Sequence, residues 1–377
     1  MATWRYIVTD LRTDATFAEL ALAGVEFSWV LNGAGTFKAS LPYRQFAATS
    51  ASVTALQTAL VRSATEPART ALYVERDGTL LWGGIIWARR PAPAAKTLEI
   101  VGAEFWSYFQ RRHITTALSY TGVDQFHIAQ DLIDYAQGKQ VDYADGGVAT
   151  YPKPGGDISV AVASTASGIT RDRSWGKNER KEIGEAVEQL ASLIDGFDFA
   201  VEVTYDAGVR TRTFATYYPR RGSAYPASGL VFELGRNIVA YDWPEDGTRF
   251  ATAMLTSGAG ENDAMIASSA TATDLIDAGY PLIEATTVYK DVTEQATLDG
   301  HAAGDLAARS SMPGPPSITV RGDVDPVLGS WRVGDQCQIR IDDEWMPEYV
   351  GIHRIIAATV KPGDGGQEEV SLALEPI

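Results

Sequence analysis

Cysteine is nearly absent from this chain of 377 residues, whose single thiol is Cys337. One thiol can form neither an internal disulfide nor a thiolate cage for a metal ion. The first ten residues, MATWRYIVTD, have a strand pattern rather than the charged and apolar pattern of a signal peptide. No apolar run approaches the roughly 20 residues that cross a bilayer. We therefore expect folding in a cytoplasm and no membrane span.

Basic residues are also scarce relative to acidic ones. The chain has 32 Lys and Arg against 48 Asp and Glu, for a formal net charge of −16. A groove that binds nucleic acid needs a concentration of positive charge. The balance argues against a basic nucleic-acid site, and we expect no specific DNA binding.

Motifs that carry chemistry are missing too. The four histidines lack the i, i+4 spacing of a zinc helix, and neither a nucleophile elbow nor a phosphate-binding loop is present. A carboxylate pair at glycosidase spacing stays open, because 48 acidic residues bring some pairs close by chance. We predict no catalytic, metal-binding or cofactor-binding residue and no cofactor.

Three short patterns invite a ligand interpretation but favour turns. Gly33-Ala34-Gly35 lacks the third glycine of a dinucleotide loop and precedes a strand instead of a helix. Asp323-Val324-Asp325 and the glycine-rich residues 363–366 lack the alternating ligands and distal Glu of an EF-hand.

The most informative stretch is 70–112. Asp77-Gly78 separates two strand-like runs and predicts a hairpin, because both residues tolerate the positive φ of a type I′ turn. The second run, 80–87, is apolar on both faces, so we expect burial against its own core and against something else. A third strand, 97–101, leads into an aromatic cluster at 105–109.

Strands at 4–9, 25–31 and 36–41 complete a first β region, and 42–67 is predicted to be a loop with a short helix near 53–62. Beyond residue 112 the apolar residues recur at the spacing of a helix. Asp124 is placed to cap a helix that Gly138 ends, and Asn178 to cap a second helix through 195. Strands at 197–205 and 211–218 follow, so 113–229 is predicted to be an α+β insertion.

The last region, 230–377, is predicted to be β with one helix at 292–309. Asp291 and Glu294 have capping-box spacing, and Pro313 follows the helix. Residues 258–272 are small and polar and are predicted to be a mobile loop. The fold class is thus mainly β with an α+β insertion, in three domains: a β-barrel at 1–112, the insertion at 113–229, and a second β-barrel at 230–377.

A family resemblance rests on the order of these features. The hairpin, the glycine-punctuated strand, the aromatic cluster and Arg111-Arg112 are followed near the carboxyl terminus by GSWRVGDQCQIRI and EYVGIHRIIAATV. This order resembles the tail hub, or minor tail, proteins of long-tailed (siphovirus-type) phages of actinobacteria. Those proteins are similar in architecture to the baseplate hubs of contractile tails and to the amino-terminal domains of tail-associated proteins.

The resemblance implies a structural virion protein at the tail tip, assembled in the host cytoplasm. It implies a homotrimer whose six barrel domains form a pseudo-sixfold ring on the tail tube or distal tail ring. The ring would leave a channel for the tape-measure protein and for DNA, which passes without specific binding. Receptor-binding or tail fibre proteins are the other implied partners.

Aromatic residues are the candidates for contacts, because aromatics are enriched at protein interfaces. Trp331 and Trp345 border turns and are predicted to be exposed. The full set of interface candidates is Trp82, Trp87, Trp106, Tyr108, Trp331 and Trp345.

Two alternatives of another class stay open at this point. One is a hydrolase of host-surface polysaccharide or peptidoglycan, and the other is a carbohydrate-binding tail protein. Related longer tail proteins carry such domains as carboxyl-terminal extensions, whereas this sequence ends directly after its last predicted strands. We therefore expect no enzymatic activity.

Overall fold

Strands make up most of the regular structure, so the fold is mainly β with a few helices. The structure is a computed structural model that describes residues 2–42, 59–142, 148–310, 316–363 and 367–377. The chain divides into two compact units. Unit 1 comprises Met1–Ala240 with Ile318–Ile377, and unit 2 comprises Tyr241–Ser317. The predicted domain boundaries at 112 and 229 stay a prediction.

The elements of the first 229 residues are β1 (Trp4–Asp10), β2 (Thr16–Glu19), β3 (Ala23–Val30), β4 (Thr36–Pro42), β5 (Thr70–Arg76), β6 (Thr79–Ala92), β7 (Thr97–Glu104), α1 (Trp106–Phe109), β8 (Leu118–Asp124), α2 (Gln125–Gln137), β9 (Gln140–Asp142), β10 (Val148–Thr150), β11 (Val160–Val162), β12 (Thr170–Trp175), α3 (Ile183–Ala191), β13 (Asp198–Asp206) and β14 (Val209–Tyr217).

The later elements are β15 (Val231–Glu233), β16 (Ile238–Asp242), β17 (Ala253–Ser257), β18 (Ala267–Thr271), α4 (Thr273–Asp277), β19 (Glu284–Val288), α5 (Gln295–Arg309), β20 (Ser317–Arg321), β21 (Gln336–Ile341), β22 (Tyr349–Lys361) and β23 (Glu369–Pro376). No helix in the described part of the chain is long and apolar enough to span a membrane.

One 13-stranded sheet joins strands from both ends of the chain. Its order is β16-β20-β23-β22-β3-β4-β7-β6-β5-β1-β2, with β21 paired to β22 and to β15. The two β regions meet where β22 pairs antiparallel with β3, in a register that sets Ala357 opposite Val30. Backbone hydrogen bonds therefore connect strands more than 300 residues apart in sequence.

The predicted hairpin is confirmed. β5 and β6 pair antiparallel around Asp77 and Gly78, whose φ angles are 51° and 82°. Positive φ at both central residues is the type I′ geometry that matches the twist of the flanking strands.

Burial of both faces of β6 is confirmed, but its cause is the same chain rather than a partner. On one face Trp82 packs against Phe37, with ring centroids 5.4 Å apart. On the other, Gly83 lies so close to β13 that an added Cβ would approach Val203 Cγ1 to 2.7 Å. The inserted region therefore covers the face that seemed to need a neighbouring subunit.

Helix α2 has the predicted ends. The Asp124 side chain accepts a hydrogen bond from the Phe126 amide at 2.8 Å, and Gly138 takes φ 74° after the last turn. These are the N-cap and left-handed C-cap geometries.

The start predicted for the second helix is wrong. α3 begins at Ile183 after Glu182, not at Asn178. Arg180 has φ 51°, which no right-handed helix contains, and Glu182 is held in a β-bridge with His113. The helix also ends before 195, since Asp195 has φ 56°.

Unit 2 holds a three-stranded sheet, β18-β17-β19, against which α5 packs. The prediction of a mobile loop at 258–272 is wrong there, because β18 pairs with β17 over five residues. Alanines and serines on β18 lack the usual strand composition, but pairing with β17 fixes them. Glu294, not Asp291, precedes α5, and no side chain caps it.

The helix expected near 53–62 falls mostly on residues outside those described. Residues 59–64 are helical.

Candidate functional site at the junction of three regions

A cavity of about 330 Å³ lies in unit 1 where three distant parts of the chain meet. Its wall includes Trp29 and residues 79–83 from the first β region, and residues 200–204 of β13 from the insertion. The third part of the wall is the turn at 329–333, which precedes β21. Each of the three predicted domains therefore supplies part of one wall.

Four indoles belong to that wall: Trp29, Trp82, Trp106 and Trp331. The first three donate their Nε1–H to Leu81 O at 3.0 Å, Ser28 O at 3.0 Å and Glu188 Oε1 at 2.8 Å. Buried indoles usually find such a partner. Trp331 Nε1 is buried with no partner among the described residues.

Glu104, at the end of β7, brings a carboxyl group to the cavity. Its Oε2 accepts a hydrogen bond from the Gly35 amide at 2.6 Å. Burial raises the pKa of Glu104 to about 8, although the Gly35 amide and the Arg221 charge oppose the rise.

Glu202, on β13, has the opposite tendency. Burial alone would raise the pKa of Glu202. The Tyr217 hydroxyl, which donates at 2.6 Å, and Arg221, at 2.9 Å, outweigh that rise, so the pKa lies below the usual range. Arg332 also lies 3.7 Å from Glu202 Oε1. The two carboxyl groups of the wall therefore have pKa values shifted in opposite directions.

A buried ion pair lies at the same junction. Arg354 of β22 pairs with Asp198 of β13, and both side chains are buried. Asp198 also accepts from Asn32 Nδ2 at 2.8 Å and from the Arg221 amide at 2.7 Å. One carboxylate therefore ties together all three predicted regions.

A second buried cation links the first β region to the insertion. Arg212 of β14 donates to Tyr73 Oη and to the carbonyls of Leu11 and Ile158, each at 2.6 Å. Its Nη2 pairs with Asp14 Oδ1 at 2.8 Å. Buried charges are tolerated only when paired and fully hydrogen-bonded, as here.

A third ion pair joins segments from the two ends of the chain. Arg76 of β5 forms an ion pair with Glu368 at 2.9 Å, and Trp4 Nε1 donates to the same carboxylate at 3.1 Å. Glu368 is buried, so solvent and salt screen this pair less than a surface pair.

The structure brings three of the six predicted interface residues together. Trp82 and Trp106 are fully buried and Trp331 is 7% exposed, and all three line the cavity. None offers a surface to a partner chain. The predicted exposure of Trp331 is wrong because its turn packs closely on residues 221–222, where an added Cβ on Gly222 would meet Gly334 at 2.3 Å.

The other three lie elsewhere. Trp87 is half-buried under the Arg111 guanidinium, 4.1 Å from the ring centroid, and Tyr108 donates to Gly156 O at 2.6 Å. Trp345 is 77% exposed in the turn between β21 and β22. It is the most solvent-exposed of the six candidates.

Sequence reasoning missed Asp198, Arg212 and Arg354. Their ion-pair partners are more than 100 residues away in sequence, so no local spacing signals them. In the described part of the chain, no group of three or more His, Cys, Asp or Glu could hold a metal ion.

No protein-family model matches the chain. No curated protein matches it either.

Solved structures do match, over nearly the whole length. The 43 kDa tail protein of prophage MuSo2 from Shewanella oneidensis has a TM-score of 0.61 at 13% identity, covering 99% of this chain and 98% of that chain. The tail protein from Neisseria meningitidis MC58 has a TM-score of 0.57 at 14% identity, covering 98% and 96%. The prophage tail protein gp18 from Listeria monocytogenes EGD-e has a TM-score of 0.51 at 12% identity, covering 98% and 94%. The chain shares the fold of these tail proteins.

Proposed function

We propose that this chain is a structural protein of a phage tail, acting as a hub at the tail tip. The observation that carries the proposal is end-to-end similarity of fold: 99% of this chain corresponds to 98% of the Shewanella prophage tail protein. At 13% identity the similarity supports a shared architecture, and the role in the tail is our inference from it.

Three ion pairs in unit 1 support a role that needs mechanical rigidity. Asp198–Arg354, Asp14–Arg212 and Glu368–Arg76 each join segments distant in sequence within unit 1. Charges fixed in this way resist relative movement of the segments, since separating a pair would leave a charge buried without its partner. A protein seated between a tail tube and the tip needs this rigidity.

We propose that the hub is a homotrimer that forms a ring on the tail tube or distal tail ring. Its axis would leave a channel for the tape-measure protein and DNA, and receptor-binding or fibre proteins would attach outside. An acidic channel face would keep the DNA backbone off the wall, because a basic one would hold phosphates by counterion release. We propose no catalytic role.

The β21–β22 hairpin is the surface that we propose for a neighbouring copy. Trp345 is exposed at its turn, Val350 on β22 is 60% exposed, and the adjacent carboxyl-terminal Ile377 is 69% exposed. Ile377 lies beside the hairpin because its amide donates to Ile352 O at 3.3 Å. Exposed apolar groups gathered in this way mark interaction sites more often than scattered ones do.

Mass photometry tests the proposal, with the purified chain alone and with the neighbouring ring protein of the same phage. We expect trimers in at least one condition, and loss of trimers on Trp345→Ser. The control is Ile194→Ser, which also removes an exposed apolar side chain, 88% exposed in the segment after α3. A monomer in both conditions, or equal loss with the control, would overturn the proposal.

A further inference from the structure

A second hollow, separate from the junction cavity, opens on unit 1 beside β6 and α1. Its volume is about 410 Å³. Two small side chains, Ala34 and Ala103, leave space next to the indole of Trp87, and the remaining described lining residues are Ser107, Gln110 and Arg111. None of these belongs to the β21–β22 hairpin, so the hairpin of the same chain does not fill the hollow.

Arg111 is a fixed cation without a counter-ion at the mouth of this hollow. Its side chain is exposed, its guanidinium lies 4.1 Å from the Trp87 ring centroid, and it forms no ion pair with any described residue. Stacking holds the planar guanidinium in place, and the indole is held in turn because its Nε1–H donates to Ser107 Oγ at 2.8 Å. A guanidinium fixed in this way is preorganised to bind a carboxylate.

The turn of the β21–β22 hairpin has the complementary chemistry. Its residues 342–348, DDEWMPE, contain four acidic side chains and no basic one. Asp342 and Asp343 accept backbone amides of the turn itself. Glu344 is exposed and forms no ion pair within the described part of the chain, and it precedes Trp345, which is 77% exposed. The turn therefore presents an indole next to an uncompensated carboxylate.

Symmetry requires a second contact surface if the chain forms the trimer of the proposed function. A patch that meets itself closes as a twofold dimer, whereas a threefold ring needs two different patches that join head to tail. The hairpin supplies one of them. The other must accept an indole and a carboxylate, and the hollow at Trp87 and Arg111 has the space and the charge to do so.

We propose that the hollow of one copy receives the β21–β22 turn of the next copy around the ring. The partner's Trp345 enters beside Trp87, and the partner's Glu344 pairs with Arg111. Tryptophan and arginine are the residues that most often dominate the energy of an interface. This inference rests on the proposed trimer and assigns the contact that closes it.

A charge-reversal cycle tests the pair, in the condition, with or without the ring protein, in which the wild type trimerises. Arg111→Glu and Glu344→Arg each place like charges opposite one another, so each should raise the protein concentration at half assembly by about tenfold or more. The double variant restores an opposite-charge pair and should return that concentration to within about threefold of the wild type. Sedimentation velocity over a dilution series measures all four proteins.

The control is Lys177→Glu, which changes the net charge as Arg111→Glu does but alters an exposed cation outside the hollow. Circular dichroism confirms that each variant is folded. Normal assembly of folded Arg111→Glu, an equal loss in Lys177→Glu, or a double variant no better than the single ones overturns the inference. If Trp345→Ser still abolishes trimers in those cases, the proposed function survives without it, whereas a wild type that never trimerises overturns both.

Discussion

The two compact units differ in what holds each of them together. Unit 1 has a core rich in fully buried aromatics, including Trp82 and Trp106, and is crossed by buried ion pairs such as Asp198–Arg354. In unit 2 the core cluster consists of Ala251, Met254 and Leu306, with alanines packed around it. Apolar burial scales with side-chain size, so unit 2 gains far less from its core.

Large apolar side chains are exposed on both units, Ile194 and Val350 on unit 1 among them. Leu282 and Val288 of unit 2 are more than half exposed, although they lie in or next to the strand β19. Units with few buried apolar contacts open first in native-state exchange. We infer that unit 1 is a rigid scaffold and that unit 2 is the less stable part.

The largest effect is expected from breaking the buried Asp198–Arg354 ion pair of unit 1. Asp198→Ala leaves Arg354 buried without its partner, which should lower the free energy of unfolding by about 3–5 kcal/mol. Urea denaturation of the purified chain measures it.

The matched control for this change is Asp206→Ala, at the exposed end of the same strand. It should shift stability by less than about 0.5 kcal/mol. If both variants lose the same stability, the junction pair is not a clamp. The double variant Asp198→Leu with Arg354→Met should recover much of the loss, since apolar residues often replace a buried pair without cost.

Gly83→Ala probes how tightly β6 and β13 pack in unit 1. The new methyl group would lie 2.7 Å from Val203 Cγ1 and 2.9 Å from the Phe105 ring, so the neighbours must move. Overpacking of this kind should cost about 1–3 kcal/mol in denaturation experiments. A neutral result would mean that the two strands are not in close contact.

The pH dependence of stability tests the buried carboxyl group in unit 1. The pKa of Glu104 is raised in the folded state, so its protonated form favours folding below the unfolded pKa near 4.5. This contribution disappears as pH rises through about 8. Glu104→Gln should therefore gain stability relative to the wild type over this window.

One proton sets the upper limit of that gain at about 1.4 kcal/mol per pH unit. Denaturation at several pH values from acid to mildly alkaline measures it. Parallel curves for the two proteins would show that Glu104 ionises as freely in the folded chain as in the unfolded one.

The smallest effect is a gain of stability in unit 2. Gly300 and Gly304 are exposed within α5, and a Cβ added to either meets nothing within 4 Å. Gly304→Ala should stabilise the helix by about 0.5–1 kcal/mol, because alanine loses less backbone freedom on folding. Hydrogen exchange of the unit 2 amides should slow accordingly, and unchanged exchange would mean that α5 does not limit opening.

Local signals in the sequence predicted the elements that local geometry decides. Asp77-Gly78 defines its hairpin, and Asp124 with Gly138 delimits α2, because the relevant hydrogen bonds close within a few residues. Such signals are absent in β18, whose small residues are held as a strand by pairing with β17. Asn178 is a suitable cap by type, but the left-handed Arg180 that follows excludes a helix.

The candidate site was predictable only in part. Tryptophans 82, 106 and 331 were singled out as important, but sequence alone assigned them to an interface instead of a shared cavity wall. Their meeting depends on β13 and the 329–333 turn reaching the start of β6, which is a tertiary property. Glu104 carried no signal, because its burial comes from packing rather than from its neighbours in sequence.

Electron microscopy of the purified assembly, bound to its neighbouring ring protein, tests the central claim most directly. The account predicts a particle with threefold symmetry, an open axial channel and a surplus of acidic over basic side chains facing the axis. A particle without threefold symmetry, or one with its axis filled, would contradict the assignment of this chain as a tail hub.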